Sequence, residues 1–202
     1  MDDFPDLFTD GSDGLPLWSD DLNFNPWETS SPTIIGDPDG GDIWIQQQTG
    51  FTCAVVSQQM ILNQFGIDVS EAQLVYDATS NGWLTDGGTS IHDMSNLLES
   101  YGIGTHQGFG GGIESLLSEL AQGHKVMVGV DSGEMWGTDF PFADWLDPDN
   151  GADHAIVVNG IDVSDPNNVQ VYVNDPCDPN GAGRPYPLDQ FRDAWNDSGQ
   201  FY

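Results

Sequence analysis

Basic side chains are nearly missing from this chain: Lys125, Arg184 and Arg192 stand against 33 Asp and Glu, for a formal charge of -30. Such a field repels nucleic acid and anionic lipid, so phosphate-binding functions start at a severe disadvantage and neither kind of partner is expected. Carboxylates at this density suit a high-salt milieu or divalent cations such as calcium, and both readings stay open. Apolar runs of transmembrane length are missing too, and Met1-Asp2-Asp3-Phe4-Pro5 has neither the basic start nor the apolar core of a signal peptide. A cytoplasmic location is therefore expected, with export only by a non-classical route. Two cysteines, Cys53 and Cys177, are too few for a disulfide framework and leave room for one bridge.

The 202 residues suffice for one well-cored domain with an appended arm. Residues 1 to about 42 hold no Lys or Arg and sustain no period of 3.6 or 2. They read as an acidic, poorly ordered arm. The aromatics Phe4, Phe8, Trp18, Phe24 and Trp27 also suit a pro-like segment laid over the domain. Gly40-Gly41 closes the arm and looks like a processing site, workable in trans.

Residues 43–202 read as the domain, helices first. One helix starts at Cys53 and stops at Gly66, with Val56, Met60 and Ile61 at helical spacing. A second starts at Ser70, with Gln73 as capping-box partner, and runs to about Ala78. A third, entered tightly through Gly87-Gly88, runs from Ser90 to Gly102 with Ile91, Met94, Leu97, Leu98 and Tyr101 on one face. A short strand over Ile103 to His106, a flexible glycine cluster at 108–112 and a helix over Ile113 to Ala121 follow. Strands are then predicted at Lys125 to Val130, His154 to Ile161 and Val169 to Asn174. The last two are joined by the turn Asp165-Pro166-Asn167-Asn168 and should be antiparallel neighbours. A helix over Pro187 to Trp195 closes an α+β layout.

A cysteine in the first turn of a helix lies in the positive end of the macrodipole, which favours thiolate over thiol. Gln47, six residues upstream, could return a side-chain amide to the same spot, with Gln46 and Gln48 leaving that assignment open by one residue. The position also suits a small buried apolar residue. His154 at the start of one strand and Asp175 at the end of its neighbour can reach Cys53 at one edge of the helix–sheet interface. The base would hold the thiolate, and the carboxylate would fix the base. Asn174 is the alternative third member, because strand alternation lets only one of the pair face the site.

The ordered set Gln47, Cys53, His154, Asp175 resembles the papain-like cysteine peptidases, and among them the bacteriocin-processing (double-glycine) peptidases and their stand-alone relatives. The resemblance spans about residue 43 to the end. It includes Gly88-Thr89-Ser90, Gly123-His124-Lys125-Val126-Met127-Val128, His154-Ala155-Ile156-Val157-Val158 with Gly160 two residues on, Val173-Asn174-Asp175-Pro176, and Pro187-Leu188-Asp189-Gln190-Phe191 with Trp195. It implies a papain-like fold, an N-terminal helical half packed on a C-terminal antiparallel sheet. It also implies Cys53 as nucleophile, His154 as general base, Asp175 as its orienter and Gln47 as an oxyanion-hole donor. The implied substrate is a peptide or protein, with no cofactor and no metal. The family's usual Asp-Cys-Gly is here Thr52-Cys53-Ala54, and no ATP-binding cassette or transmembrane region follows, so a peptidase–transporter fusion is not expected. Glutamine deamidation or another acyl transfer would use the same residues. A non-catalytic peptide-binding domain of the same fold is the reading from another class.

His92 and His124 read as surface residues, and with His106 they match no zinc spacing. Asp147, Asp149, Gly151 and Asp153 alternate like the opening of a calcium loop but lack its closing Glu, so they read as a solvated loop. Trp136 and Trp145, near His154 in sequence, are candidate substrate-cleft residues.

Overall fold

Strand β5 (His154–Asp162) is the axis of the fold, with eight of its nine residues buried. Its nearly unbroken apolar run is what a strand covered on both faces requires. The computed structural model describes residues 33–137 and 151–202. Strand β4 (Val126–Val130) runs antiparallel along the first half of β5, Val130 opposite His154. Strand β1 (Ile34–Gly36) runs along the second half, Ile34 opposite Asp162. On the other side β6 (Gln170–Asn174) pairs with β5, its register shifting between Val158 and Gly160, and β7 (Arg184–Pro187) pairs with β6. At that shift Gly160 lets the chain close up: a Cβ there would lie 2.8 Å from the Ile35 carbonyl oxygen.

Helices cover both faces of this five-stranded sheet. On one face α1 (Cys53–Gln64), α2 (Glu71–Ser80) and α3 (Asn96–Ser100) bury Val55, Met60, Leu62, Leu74 and Leu97 against Val157. On the other, α4 (Gly112–Ala121) and α6 (Leu188–Asn196) bury Leu116, Leu120, Phe191 and Trp195 against Val128, Ile156 and Val171. A short helix, α5 (Ser132–Trp136), follows β4 and is capped by the Asp131 carboxylate, which accepts from Glu134 N.

Helix α1 is buried without a break from Ala54 to Leu62, so it is a central helix rather than an amphipathic surface one. Several of its polar side chains find partners inside, although Gln59 Oε1, Asn63 Oδ1 and Gln64 Oε1 are buried without one among the described residues. Ser57 Oγ donates to Ala155 O at 3.1 Å, Gln59 Nε2 to Val69 O at 2.7 Å, and Gln58 Oε1 accepts from Leu98 N at 3.2 Å. Gly66 ends the helix at φ 74°, a conformation that favours glycine.

Several elements differ from expectation, each for a local reason. Ser70 Oγ accepts from Gln73 N, but the Gln73 side chain turns to Asp77, so only half of the capping box forms. The third helix splits into a 3-10 turn, Ile91–Asp93, and the short α3. Leu98 N donates to Gln58 instead of to the Met94 carbonyl, which interrupts the ladder. Gly87-Gly88 belongs to a hairpin of β2 (Leu84–Thr85) and β3 (Gly88–Thr89). Residues 103–106 form no strand; Thr105 Oγ1 instead bonds Glu99. The glycine cluster is a packed junction rather than a loose connection. Gly108 exchanges both backbone bonds with Tyr202, and a Cβ on Gly108 would lie 2.8 Å from the Tyr202 ring. Gly40 and Gly41 open a 3-10 turn (Gly40–Ile43), with Gly41 pressed against the backbone of Ala182 and Gly183.

Candidate active site

Thr52 precedes the first turn of α1, and its hydroxyl does not cap the helix but donates to the Glu71 carboxylate at 2.8 Å. The other Glu71 contact is Gln48 N, at 3.1 and 3.2 Å from its two oxygens. A buried carboxylate at the start of α2 thus ties down the loop that delivers Cys53. Sequence reading missed Glu71, because an acid in a first helical turn is ordinary dipole chemistry. Its burial between two donors is visible only in three dimensions.

Cys53 and the His154 imidazole interact, each shifting the titration of the other. His154 stands at the start of β5, 7% exposed, and its Nε2 lies 2.7 Å from Asp175 Oδ1. With Nε2 taken by the carboxylate, Nδ1 is the ring nitrogen left for sulfur. Asp175, fully buried just past β6, receives four more bonds. Cys177 N and Asp178 N donate to Oδ1 at 2.9 and 3.3 Å, Trp136 Nε1 to Oδ2 at 3.0 Å, and Trp44 Nε1 to its carbonyl at 2.6 Å. Asn174 faces the other way: its side chain donates to Gly40 O and accepts from Gly183 N, at 2.9 and 2.8 Å. The strand alternation that made the two residues rivals gives Asp175 to the histidine and Asn174 to the scaffold.

Burial pushes the Cys53 thiol up, but the His154 imidazole and the backbone N–H groups of Ala155 and Ala54 more than offset this and hold it below the ordinary value. For His154 burial disfavours the charge, yet the Asp175 carboxylate and the Cys53 sulfur raise it to about 10. Burial would lift Asp175; His154, Trp136 and the Cys177 N–H instead keep it below the usual carboxylate range. Cys177 behaves oppositely to Cys53: burial and the surrounding negative charge of Asp175 and Cys53 raise it. Both cysteines are free thiols, without the bridge the sequence left room for.

Gln47 N donates to Pro176 O at 2.9 Å, which lays its segment beside the Asp175 turn. Its side-chain Nε2 donates to Thr49 O at 2.6 Å, while its Oε1 is buried without a partner among the described residues. One amide hydrogen is thereby engaged in the loop and the second is free. Gln46 and Gln48 have exposed side chains. Trp136, expected as a cleft wall, lies over the His154–Asp175 pair, its ring centroid 5.5 Å from the imidazole. Trp145 lies outside the described residues, as do Asp147 and Asp149 of the calcium-like loop. Asp153 is engaged at Ser132 N and Oγ, both at 2.9 Å. His92 is exposed, and His106 and His124 flank Glu119 instead of approaching Cys53.

A cysteine at the head of a buried central helix, packed on an antiparallel sheet that carries a histidine, is the architecture of the papain-like peptidases. The chain belongs to the Peptidase_C39 like family, whose model matches residues 42–201. It is 27% identical over 204 residues to an uncharacterized protein of Mycobacterium tuberculosis and to one of Mycobacterium bovis, covering 88% of this chain and 86% of each relative. Its fold is similar to that of a protein of Bacillus anthracis described as a C39-like peptidase, with a TM-score of 0.60 at 19% identity over 84% of this chain and 96% of the other. It is also similar to the peptidase domain of Streptococcus ComA, a bifunctional ABC transporter involved in quorum sensing, at TM-score 0.54 and 16% identity over 76% and 92% of the two chains. Among the described residues no helix is long and apolar enough to cross a membrane.

Proposed function

We propose that this chain is a cysteine peptidase that hydrolyses peptide bonds through a thioester on Cys53. The observation that carries the reading is the buried His154–Asp175 pair beside Cys53, in which sulfur is pushed toward thiolate and imidazole toward imidazolium. The thiolate attacks the scissile carbonyl carbon, and the oxyanion that forms is met by N–H donors. The backbone N–H groups at the head of α1 are the proposed donors, with the second amide hydrogen of Gln47 assigned to the same role. His154 passes its proton to the departing amine, leaving acyl-Cys53. It then takes a proton from water, whose attack releases the acid and restores the thiolate. Asp175 keeps the ring oriented and stabilises its charged form. Trp136, over the pair, keeps water from competing for the Asp175 oxygens.

Membership of the peptidase family supports the reaction class. The substrate is proposed to be a peptide or protein, without commitment to a diglycine sequence, since Thr52-Cys53-Ala54 replaces the motif of the double-glycine enzymes. The test is the pH dependence of Cys53 alkylation by iodoacetamide in a Cys177→Ser background, with and without His154→Ala. A depressed thiol pKa that rises in the His154 variant supports the reading. An ordinary value near ~8.5 in both sinks it and leaves a peptide-binding domain. Mass analysis of peptide products then separates chain cleavage from loss of ammonia.

A further inference from the structure

An apolar concavity adjoins the cluster of Met94, Met127 and Phe201 against which Cys53 packs, and extends away from it toward the start of β4. It is bounded by Ile61 and Phe65 near the end of α1, by the start of β4 and by Tyr202, and its volume is about 330 Å³. Since Val130 is the β4 residue opposite His154, Lys125 stands five positions toward the far end, roughly 16 Å along the strand. The volume falls at the lower end of the roughly 300–1,000 Å³ typical of small-molecule sites. The walls are apolar, with Leu98, Ile103, Met127 and Phe201 among them, and the rim carries His106, His124 and Lys125.

That rim is anomalous for this chain. Both arginines are paired, Arg184 with Asp178 and Arg192 with Asp189. Lys125, the one lysine of the sequence, has no acidic partner among the described residues. The lysine is thus left, among the described residues, as a cation beside an apolar cavity. Glu119 is the one acid lining the cavity, and both its oxygens are occupied, by His106 Nε2 at 3.2 Å and His124 Nδ1 at 2.5 Å. More distant carboxylates are screened beyond a Debye length of about 8 Å at physiological salt.

We propose that this cavity is a ligand site for a monocarboxylate on an apolar tail, of the fatty-acid type. The tail replaces water along the apolar walls, and the head meets Lys125. A lone lysine supplies a single positive charge, which a singly charged head matches. A multiply charged head would also meet more repulsion from the rest of the chain. The site is independent of the catalytic reading.

The test uses the full chain with its methionine methyls ¹³C-labelled, titrated with decanoate and, separately, with uncharged decanol. Met94 and Met127 line the cavity, whereas Met135 belongs to the separate core on the other face of the sheet. Decanoate should bind saturably and shift the Met94 and Met127 methyls. Lys125→Gln, an exposed substitution, should weaken decanoate about fivefold and leave decanol unchanged. The proposal is overturned by an absence of saturable decanoate binding. It is equally overturned by a shift confined to Met135, or by decanoate affinity that ignores Lys125→Gln.

Discussion

The Trp136 indole N–H donates to Asp175 Oδ2 at 3.0 Å, the oxygen that His154 leaves free. Asp175 is therefore fixed from both sides: the histidine, Cys177 N and Asp178 N hold one oxygen, the tryptophan the other. A carboxylate so restrained cannot rotate away from the imidazole.

Trp136→Phe keeps a ring over His154 and removes only the N–H. A hydrogen bond to a charged group contributes about 1.5–3 kcal/mol. Cys53 alkylation at neutral pH should fall about tenfold, with the far-ultraviolet circular dichroism spectrum unchanged. Full retention of the rate would mean that Asp175 is positioned without the indole.

Asp175 and Asn174 separate chemistry from scaffold. Asp175→Asn should cut peptidase activity by roughly 10²–10⁴-fold, as loss of a group that orients a general base does. Asn174→Ala should spare the Cys53 pKa but cost about 1–3 kcal/mol of stability, because Gly40 O and Gly183 N lose a buried partner. Urea unfolding and alkylation profiles on both variants check the division.

The pH dependence follows from opposite displacements of the two partners. Cys53 is lowered and His154 is raised to about 10, so the thiolate–imidazolium pair spans the interval between them. Alkylation should stay fast well below the ~8.5 of an ordinary thiol, and turnover should decline on the alkaline side as pH passes about 10. For stability, the His154 contribution is fully present below the ~6.5 of an unfolded histidine and is lost as pH rises through about 10. A stability profile flat from pH 7 to 10, with His154→Ala identical, contradicts this.

Glu71→Leu removes the carboxylate that Thr52 Oγ1 and Gln48 N share. With donors left unpaired, a loss of about 2–3 kcal/mol is expected, along with slower Cys53 alkylation. Glu71→Gln, which keeps an acceptor, should restore most of the stability. Thermal melts of the two variants give the comparison.

Gly181 lies where any Cβ would overlap the Asp175 carbonyl oxygen. Gly181→Ala must displace the Asp175 turn, and about 1–3 kcal/mol of overpacking strain is expected together with loss of alkylation selectivity for Cys53 over Cys177. Differential labelling of the two thiols, read by mass spectrometry, reports it.

What could be read from sequence was what repeats over several residues or sits at an element's end. The long apolar runs of β5 and α1, the turn before β6 and the Ser70 cap are of that kind, and the α+β papain-like class follows from their order. Strands β1 and β7 could not be read: one is three residues long, the other contains two prolines, and each exists only because a longer strand offers it an edge. Cys53, His154 and Asp175 could be singled out because each begins or follows an element. Glu71 and Trp44 could not, since their partners lie 19 to 131 residues away in sequence. The bond from the Trp136 indole to Asp175 was equally hidden, since only the turn of α5 aims the ring there.

Strand β1 joins the sheet upstream of the diglycine turn, while Asn174 grips that turn from behind. The domain therefore begins at the strand and not at the turn. Trimming that stops before Ile34 leaves the sheet whole. A cut at Gly40-Gly41 would strip a strand from β5 and bare the backbone of Gly160 to Asp162 as a sticky template for neighbouring molecules. The diglycine of this chain is a seam on which the edge of the sheet depends.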